Sequence, residues 1–137
     1  MKIHQSILTS ELKEKIHAGF HQHSMQCAGI DGLSQEPVSF ELREADLIIG
    51  YVVVLLFWGQ LHIKYVLVNE SYRGKGFGAV LMNHVFDFGR SHGCTFAFVE
   101  TMNFQAPKFH QKLGFNIDFI RSGFEKGVSL YYLSKDL

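Results

Sequence analysis

Six residues, Arg73-Gly74-Lys75-Gly76-Phe77-Gly78, separate an apolar run ending at Val68 from a helical period that begins near residue 76. Three glycines interleaved with two cations at a strand-to-helix junction restrict what can be built there. Glycine lets the backbone take conformations other residues resist and lets it approach a ligand closely. The N–H groups of a first helical turn converge on one spot, and the helix dipole makes that spot attractive to an anion. Arg73 and Lys75 add charge-assisted contacts. The segment, with Ala79 behind it, reads as a phosphate or pyrophosphate cradle; the plainer alternative is a glycine-rich turn without a ligand.

The flanking pattern sets the topology. Residues 76–92 have a helical period with Val80, Leu81, His84, Val85 and Phe88 on one side, Gly93 sits where a left-handed cap belongs, and residues 94–100 form a buried strand. Strand, helix and strand at this spacing imply a right-handed crossover and a locally parallel pair. Upstream, residues 38–43, 47–58 and 61–68 are β-rich runs joined by short turns, an antiparallel meander. Downstream, residues 105–113 form a short helix ended by Gly114, and residues 115–121 and 128–133 make a closing pair of strands. At the start, residues 1–8 suggest a short strand, and Thr9-Ser10-Glu11 caps a helix reaching about Gln22, with Leu12, Ile16 and Phe20 on one stripe. The expected fold class is α+β: a mixed, mostly antiparallel sheet with one βαβ crossover and flanking helices, in one domain spanning residues 1–137.

Composition narrows function. Thirteen acidic residues balance thirteen basic ones, whereas a dedicated nucleic-acid binder needs a strongly basic face. The longest apolar run, residues 47–58, falls short of the roughly 20 residues a membrane span needs, and no signal peptide is recognisable. The expectation is a cytoplasmic protein without nucleic-acid or membrane partners; a homodimer is compatible with the sequence. Cys27 and Cys94 lie in no CxxC pattern and read as reduced thiols, one of them buried in a strand. His17, His21 and His23 have a helical metal-binding spacing, but no H-E-x-x-H signature accompanies them and no metal is expected.

Two common phosphate-binding patterns fit the glycine turn poorly. A P-loop carries Lys then Ser or Thr after its last glycine, and here Ala79-Val80 follow Gly78. Gly74, Gly76 and Ala79 match the dinucleotide-binding fingerprint, but that motif turns directly out of its strand, and here residues 69–73 intervene.

A third pattern does fit. Arg73-x-x-Gly76-x-Gly78 resembles the R/Q-x-x-G-x-G/A signature of the GNAT acetyltransferases, and Val66-Leu67-Val68 resembles the strand that precedes it. The run Asn103-Phe104-Gln105-Ala106-Pro107-Lys108-Phe109-His110-Gln111-Lys112-Leu113-Gly114-Phe115 resembles the family's N-x-x-A-x-x-F/L-Y-x-x-x-G-F segment. Its Phe-Gln-Ala-Pro core, with the Leu-His-Ile strand upstream, looks like a short bacterial subgroup.

The resemblance implies acetyl-CoA as acyl donor, with no metal. It places the pantetheine arm along Val66, Leu67 and Val68 and the pyrophosphate in the turn from Arg73 to Ala79. It adds Asn103, Ala106 and Phe109 as cofactor contacts, although Asn103 also reads as a helix cap, and Phe109 and Phe115 as core. The implied reaction is direct attack of a primary amine on the thioester in a ternary complex, with the oxyanion held by a backbone N–H near Val68. The acceptor is a small-molecule or peptide amine. Glu100 is the first candidate base and Glu70 the second. Trp58, His62 and Tyr65 are candidates for an acceptor pocket, or for packing.

Three positions depart from the family. His110 stands where the family has the Tyr that protonates the departing thiolate. It is either a substituted general acid or an ordinary helix residue with water in that task. Lys64 stands where relatives commonly have Asp, as does Asn69. These departures make a catalytically degenerate CoA-binding sensor or interaction module the alternative.

Overall fold

The computed structural model describes residues 1–32 and 35–137, which divide into two compact units, Met1–Gln35 and Glu36–Leu137. The first unit holds helix α1, Ser10–Ala28. The Thr9 hydroxyl accepts the Leu12 N–H at 3.2 Å as an N-cap, and Gly29, at φ 70°, closes the helix with its N–H on the Met25 and Ser24 carbonyls. The helix outruns the expected end at Gln22 because no Gly or Pro occurs between Gln22 and Gly29. The strand expected over residues 1–8 is not formed; that stretch has no ladder, and a strand without a partner leaves its backbone groups unpaired.

The second unit is a six-stranded sheet with strands β1 (Val38–Glu44), β2 (Leu47–Phe57), β3 (Gln60–Val68), β4 (Phe96–Met102), β5 (Asn116–Arg121) and β6 (Leu130–Asp136), in the order β1-β2-β3-β4-β6-β5. Only β3 and β4 run parallel, joined by helix α2 (Phe77–Ser91); every other neighbouring pair is antiparallel. A short helix α3 (Pro107–Lys112) follows β4, with Pro107 at its first position, where a missing N–H costs nothing. The α+β class with one crossover is therefore observed.

The core lies between the sheet and α2. Val52, Val54, Leu61, Ile63, Ala97, Val99 and Leu133 from the strands meet Leu81, Met82, Val85 and Phe86 from the helix. The buried face of α2 is rotated from the expected one: Val80 is exposed, while Met82, Phe86 and Gly89 turn inward. Gly89 permits the close approach, since a Cβ there would lie 3.0 Å from Leu61 Cδ2. Cys94 is buried as expected but precedes its strand, because its N–H closes the end of α2 on the Gly89 carbonyl.

One irregularity in β3 shapes everything that follows. Val53 pairs with Tyr65 and Val54 with Ile63, so Lys64 is an extra, unpaired residue in the β2–β3 ladder. A bulge of this kind bends its strand and resets its side-chain phase. Before it, Leu61 and Ile63 are buried; after it, Val66 and Val68 pack against the core while Tyr65 and Leu67 are exposed. The parallel ladder to β4 runs through Leu61, His62 and Ile63, pairing with Ala97, Phe98 and Val99, and stops there. From Lys64 and Glu100 onward the two strands part.

Candidate active site

The parting of β3 and β4 opens a cavity of about 890 Å³. Its walls are the bent end of β3, the glycine turn and start of α2, the end of β4, and α3. Val66, Leu67, Val68, Arg73, Gly74, Gly76, Phe77, Gly78, Ala79, Ala106 and Phe109 all line it, as do Glu100 and His110. Two distant sequence segments thus converge on one space.

The edge of β3 that faces the cavity is chemically open. Asn69 N–H donates to the Ile49 carbonyl on β2. Antiparallel pairing alternates along a strand, so the N–H and C=O groups of Val66 and Val68 point the other way, towards the gap left by β4. The Val68 carbonyl is taken by Arg73 Nε at 2.9 Å, which anchors the guanidinium beside the turn. The Val68 N–H is left facing the cavity.

Gly74 and Gly76 have φ of 74° and 86°, and Gly76 is the left-handed N-cap of α2. L side chains resist that conformation. Helix geometry leaves the N–H groups of Phe77, Gly78 and Ala79 without intrahelical partners, and the first turn carries no acid to compete for them. Lys75 does not line the cavity; its Nζ lies 5.4 Å from the centre of the Tyr72 ring, a cation–π contact. Tyr72 itself reaches the wall, a residue that sequence reasoning passed over.

The second segment divides its work differently from the expectation. Asn103 is not on the cavity wall: its N–H donates to the Ser129 carbonyl and its Oδ1 accepts the Ser129 N–H at 3.2 Å, tying the loop after β4 to the start of β6. Gln105 lines the cavity, and its Oε1 accepts the Met102 N–H at 2.8 Å and the Thr101 hydroxyl at 3.2 Å. That amide holds the end of β4 in place; in sequence it looked only like part of a motif.

His110 is buried, with its ring edge-on to Phe109 at 5.1 Å and Phe115 at 5.5 Å. Its Nδ1 has no hydrogen-bond partner among the described residues. Burial pushes the imidazole pKa down to about 4, so at pH 7 only about one molecule in a thousand is protonated. The ring considered from sequence as a substituted general acid is therefore a neutral imidazole at rest.

Glu100 is exposed on the cavity wall, opposite Tyr132 on β6. Glu70, in a single helical turn before the cradle, does not line the cavity. Of the three acceptor-pocket candidates, only Tyr65 does; Trp58 sits at φ 50° in the β2–β3 turn, and His62 stacks on Phe98. Among the described residues no three His, Cys, Asp or Glu side chains gather as metal ligands, and no helix is long and apolar enough to cross a membrane.

Known proteins share this plan. The acetyltransferase (GNAT) family matches the chain over residues 7–115. Blasticidin-S acetyltransferase of Streptomyces morookaense is 32% identical over 89 residues, 64% of this chain and 65% of that protein. Streptothricin acetyltransferase of Streptomyces lavendulae is 36% identical over 75 residues, 53% of this chain and 40% of that protein. The chain thus spans less than two thirds of the length of either relative. A solved acetyltransferase from Bacillus cereus ATCC 14579 superposes over 98% of both chains with a TM-score of 0.83 at 27% identity.

Proposed function

The chain belongs to the acetyltransferase (GNAT) family, and from that premise we propose that it moves an acetyl group from acetyl-CoA to the primary amine of a small molecule by direct attack in a ternary complex. The observation that carries this reading is the cavity itself: an open strand edge, a helix N-terminus and a carboxylate meet where β3 and β4 part. The donor's chemistry fits those groups. An amide-bearing arm matches the open backbone N–H and C=O of Val66, and a pyrophosphate matches the N–H groups of Phe77, Gly78 and Ala79 beside Arg73.

Each residue then has a task. Val68 N–H is directed at the gap and stabilises the oxygen of the attacked carbonyl as charge builds there. Glu100, directly or through a water, takes the proton that the attacking ammonium must lose. His110 offers an N–H to the departing sulfur as a neutral hydrogen-bond donor. It does not hand over the proton, since that would leave an imidazolate; water supplies it. A free thiol has a pKa near ~8.5, so a thiolate held by one hydrogen bond is a tolerable leaving group. No covalent enzyme intermediate is needed, and neither cysteine lines the cavity. The names of the two Streptomyces relatives, each an acetyltransferase of an antibiotic, support a small-molecule acceptor.

The test is release of free thiol from acetyl-CoA with a panel of primary amines, alongside a melting-temperature shift with CoA. A ligand of the native state raises the melting temperature by mass action. Binding of CoA with thiol release is the expected result. CoA binding without release to any amine turns the reading to a CoA-binding module, and no binding at millimolar CoA refutes both.

A further inference from the structure

Met102 ends β4 on the side where β3 has left it. The Asn103 N–H donates to the Ser129 carbonyl, towards β6. Backbone groups alternate in direction along a strand, so the N–H and C=O of Met102 face the cavity edge of β4. The same alternation turns the Phe96 N–H, at the start of β4, towards β3, where Gln60 Oε1 accepts it at 3.1 Å. The parallel ladder has stopped at Val99, so no strand meets Met102. Gln105 meets it instead. Its backbone N–H donates to the Met102 carbonyl at 2.9 Å, and its Oε1 accepts the Met102 N–H at 2.8 Å. One residue fills both places of the missing strand partner.

The hydroxyl of Thr101, a buried residue, donates to the same Oε1 at 3.2 Å. An amide oxygen only accepts and an amide nitrogen only donates, so these two donors fix which way round the Gln105 carboxamide sits. With Oε1 on β4, Nε2 is turned away from the strand, and it has no hydrogen-bond partner among the described residues. Gln105 is also the one carboxamide on the cavity wall among the described residues, since Asn103 is engaged with Ser129 away from it.

We propose that Gln105 binds the acyl donor: its Nε2 donates a hydrogen bond to a carbonyl of the amide-bearing arm, from the β4 side of the gap that Val66 faces from β3. This rests on the acetyl-CoA reading above, and it moves to Gln105 the contact that the family resemblance gives to Asn103. Oε1 stands in for a lost strand and Nε2 carries the donor of β4 one side chain further into the gap. The arm is then held from both strands, while the bonds from Met102 and Thr101 hold the carboxamide ready before the donor arrives.

The experiment is calorimetric titration of CoA into the wild type, Gln105→Glu and Gln105→Met. Glutamate keeps acceptor oxygens for Met102 and Thr101 but has no N–H to offer at neutral pH; methionine has neither. Gln105→Glu therefore keeps the wild-type melting temperature and binds CoA about two- to thirteenfold more weakly, the range of one neutral hydrogen bond, at low and at high salt alike. Gln105→Met loses melting temperature and affinity together. Wild-type CoA affinity in Gln105→Glu overturns the inference. So does a loss that high salt erases, since that is repulsion between charges, and so does a raised KM for the amine with CoA affinity unchanged, which places Gln105 at the acceptor. Should Gln105→Glu melt early, the wild type decides: the side-chain NH2 resonances of Gln105 shift when CoA is added, and unmoved resonances overturn the inference. Each of these readouts of the donor is binding, so acetyl transfer can fail while the inference stands; a wild type that binds no CoA overturns both.

Discussion

A Cβ placed on Gly78 would lie 2.9 Å from Cε2 of Phe109 and 3.0 Å from its Cζ. The last glycine of the turn is thus occupied by an aromatic ring from the second motif. The two sequence signatures are in contact and form one wall of the cavity.

Gly78→Ala therefore forces the Phe109 ring to move. Overpacking of this kind costs ~1–3 kcal/mol, and denaturant unfolding should show a loss in that range together with weaker CoA binding. In a Phe109→Leu background the smaller side chain makes room, so the alanine should cost less there. Strict additivity of the two changes, within ~0.5 kcal/mol, would show that the contact does not constrain the turn.

Gly76 has a different reason to be glycine. No atom lies within 4 Å of its would-be Cβ, but its φ is 86°. A β-branched residue is strained there by ~1–2 kcal/mol or more, and relieving that strain shifts the backbone that aims the N–H groups of the first turn. Gly76→Val should fold with reduced stability and lose CoA binding by calorimetry. A folded variant with unchanged CoA affinity would falsify the placement of the cradle.

His110 makes stability depend on pH with a definite sign. Its folded pKa, about 4, lies below the ordinary 6.5, so between those values the unfolded chain binds the extra proton. Stability from this group is complete above pH 6.5 and is lost as pH falls towards 4. Other groups titrate in the same window, so the measurement is a comparison. Unfolding free energy should fall more steeply from pH 7 to pH 4.5 in the wild type than in His110→Leu. Parallel curves would mean that the imidazole is not held neutral.

The legible parts of the site are those written as local chemistry. The glycine turn needs glycine for its backbone at 74 and 76, the helix start follows from its period, and the convergence of residues 66–79 with 106–110 follows from one crossover. The bulge at Lys64 was not legible. No Gly or Pro marks it, and it arises from how β2 and β3 register over the core, so the run after it looked merely apolar when it had changed face. Asn103 stands just past a strand, a place that suits a contact with the cofactor arm, but the partner it ties to, Ser129, is 26 residues away and unmarked in the sequence. The rotated face of α2 has the same origin, since the sheet chooses Met82, Phe86 and Gly89 over Val80 by close approach at Leu61.

The size of one kinetic effect separates two roles for His110. General acid catalysis by a positioned group contributes ~10²–10⁴-fold, whereas a single neutral hydrogen bond is worth ~0.5–1.5 kcal/mol, about two- to thirteenfold. The buried, neutral ring predicts the smaller figure: His110→Ala should lower kcat by about tenfold where chemistry limits the rate. The wild-type ring is half protonated near pH 4, so a limb belonging to His110 is expected there, with none between pH 6 and pH 8. His110→Tyr restores an O–H donor, and with it part of the lost rate. A thousandfold loss in His110→Ala, together with a wild-type limb near pH 6.5 that the variant lacks, would instead make His110 a general acid that acts in its charged form. Wild-type turnover in His110→Ala would instead remove it from the reaction, leaving the solvent to stabilise the departing thiolate.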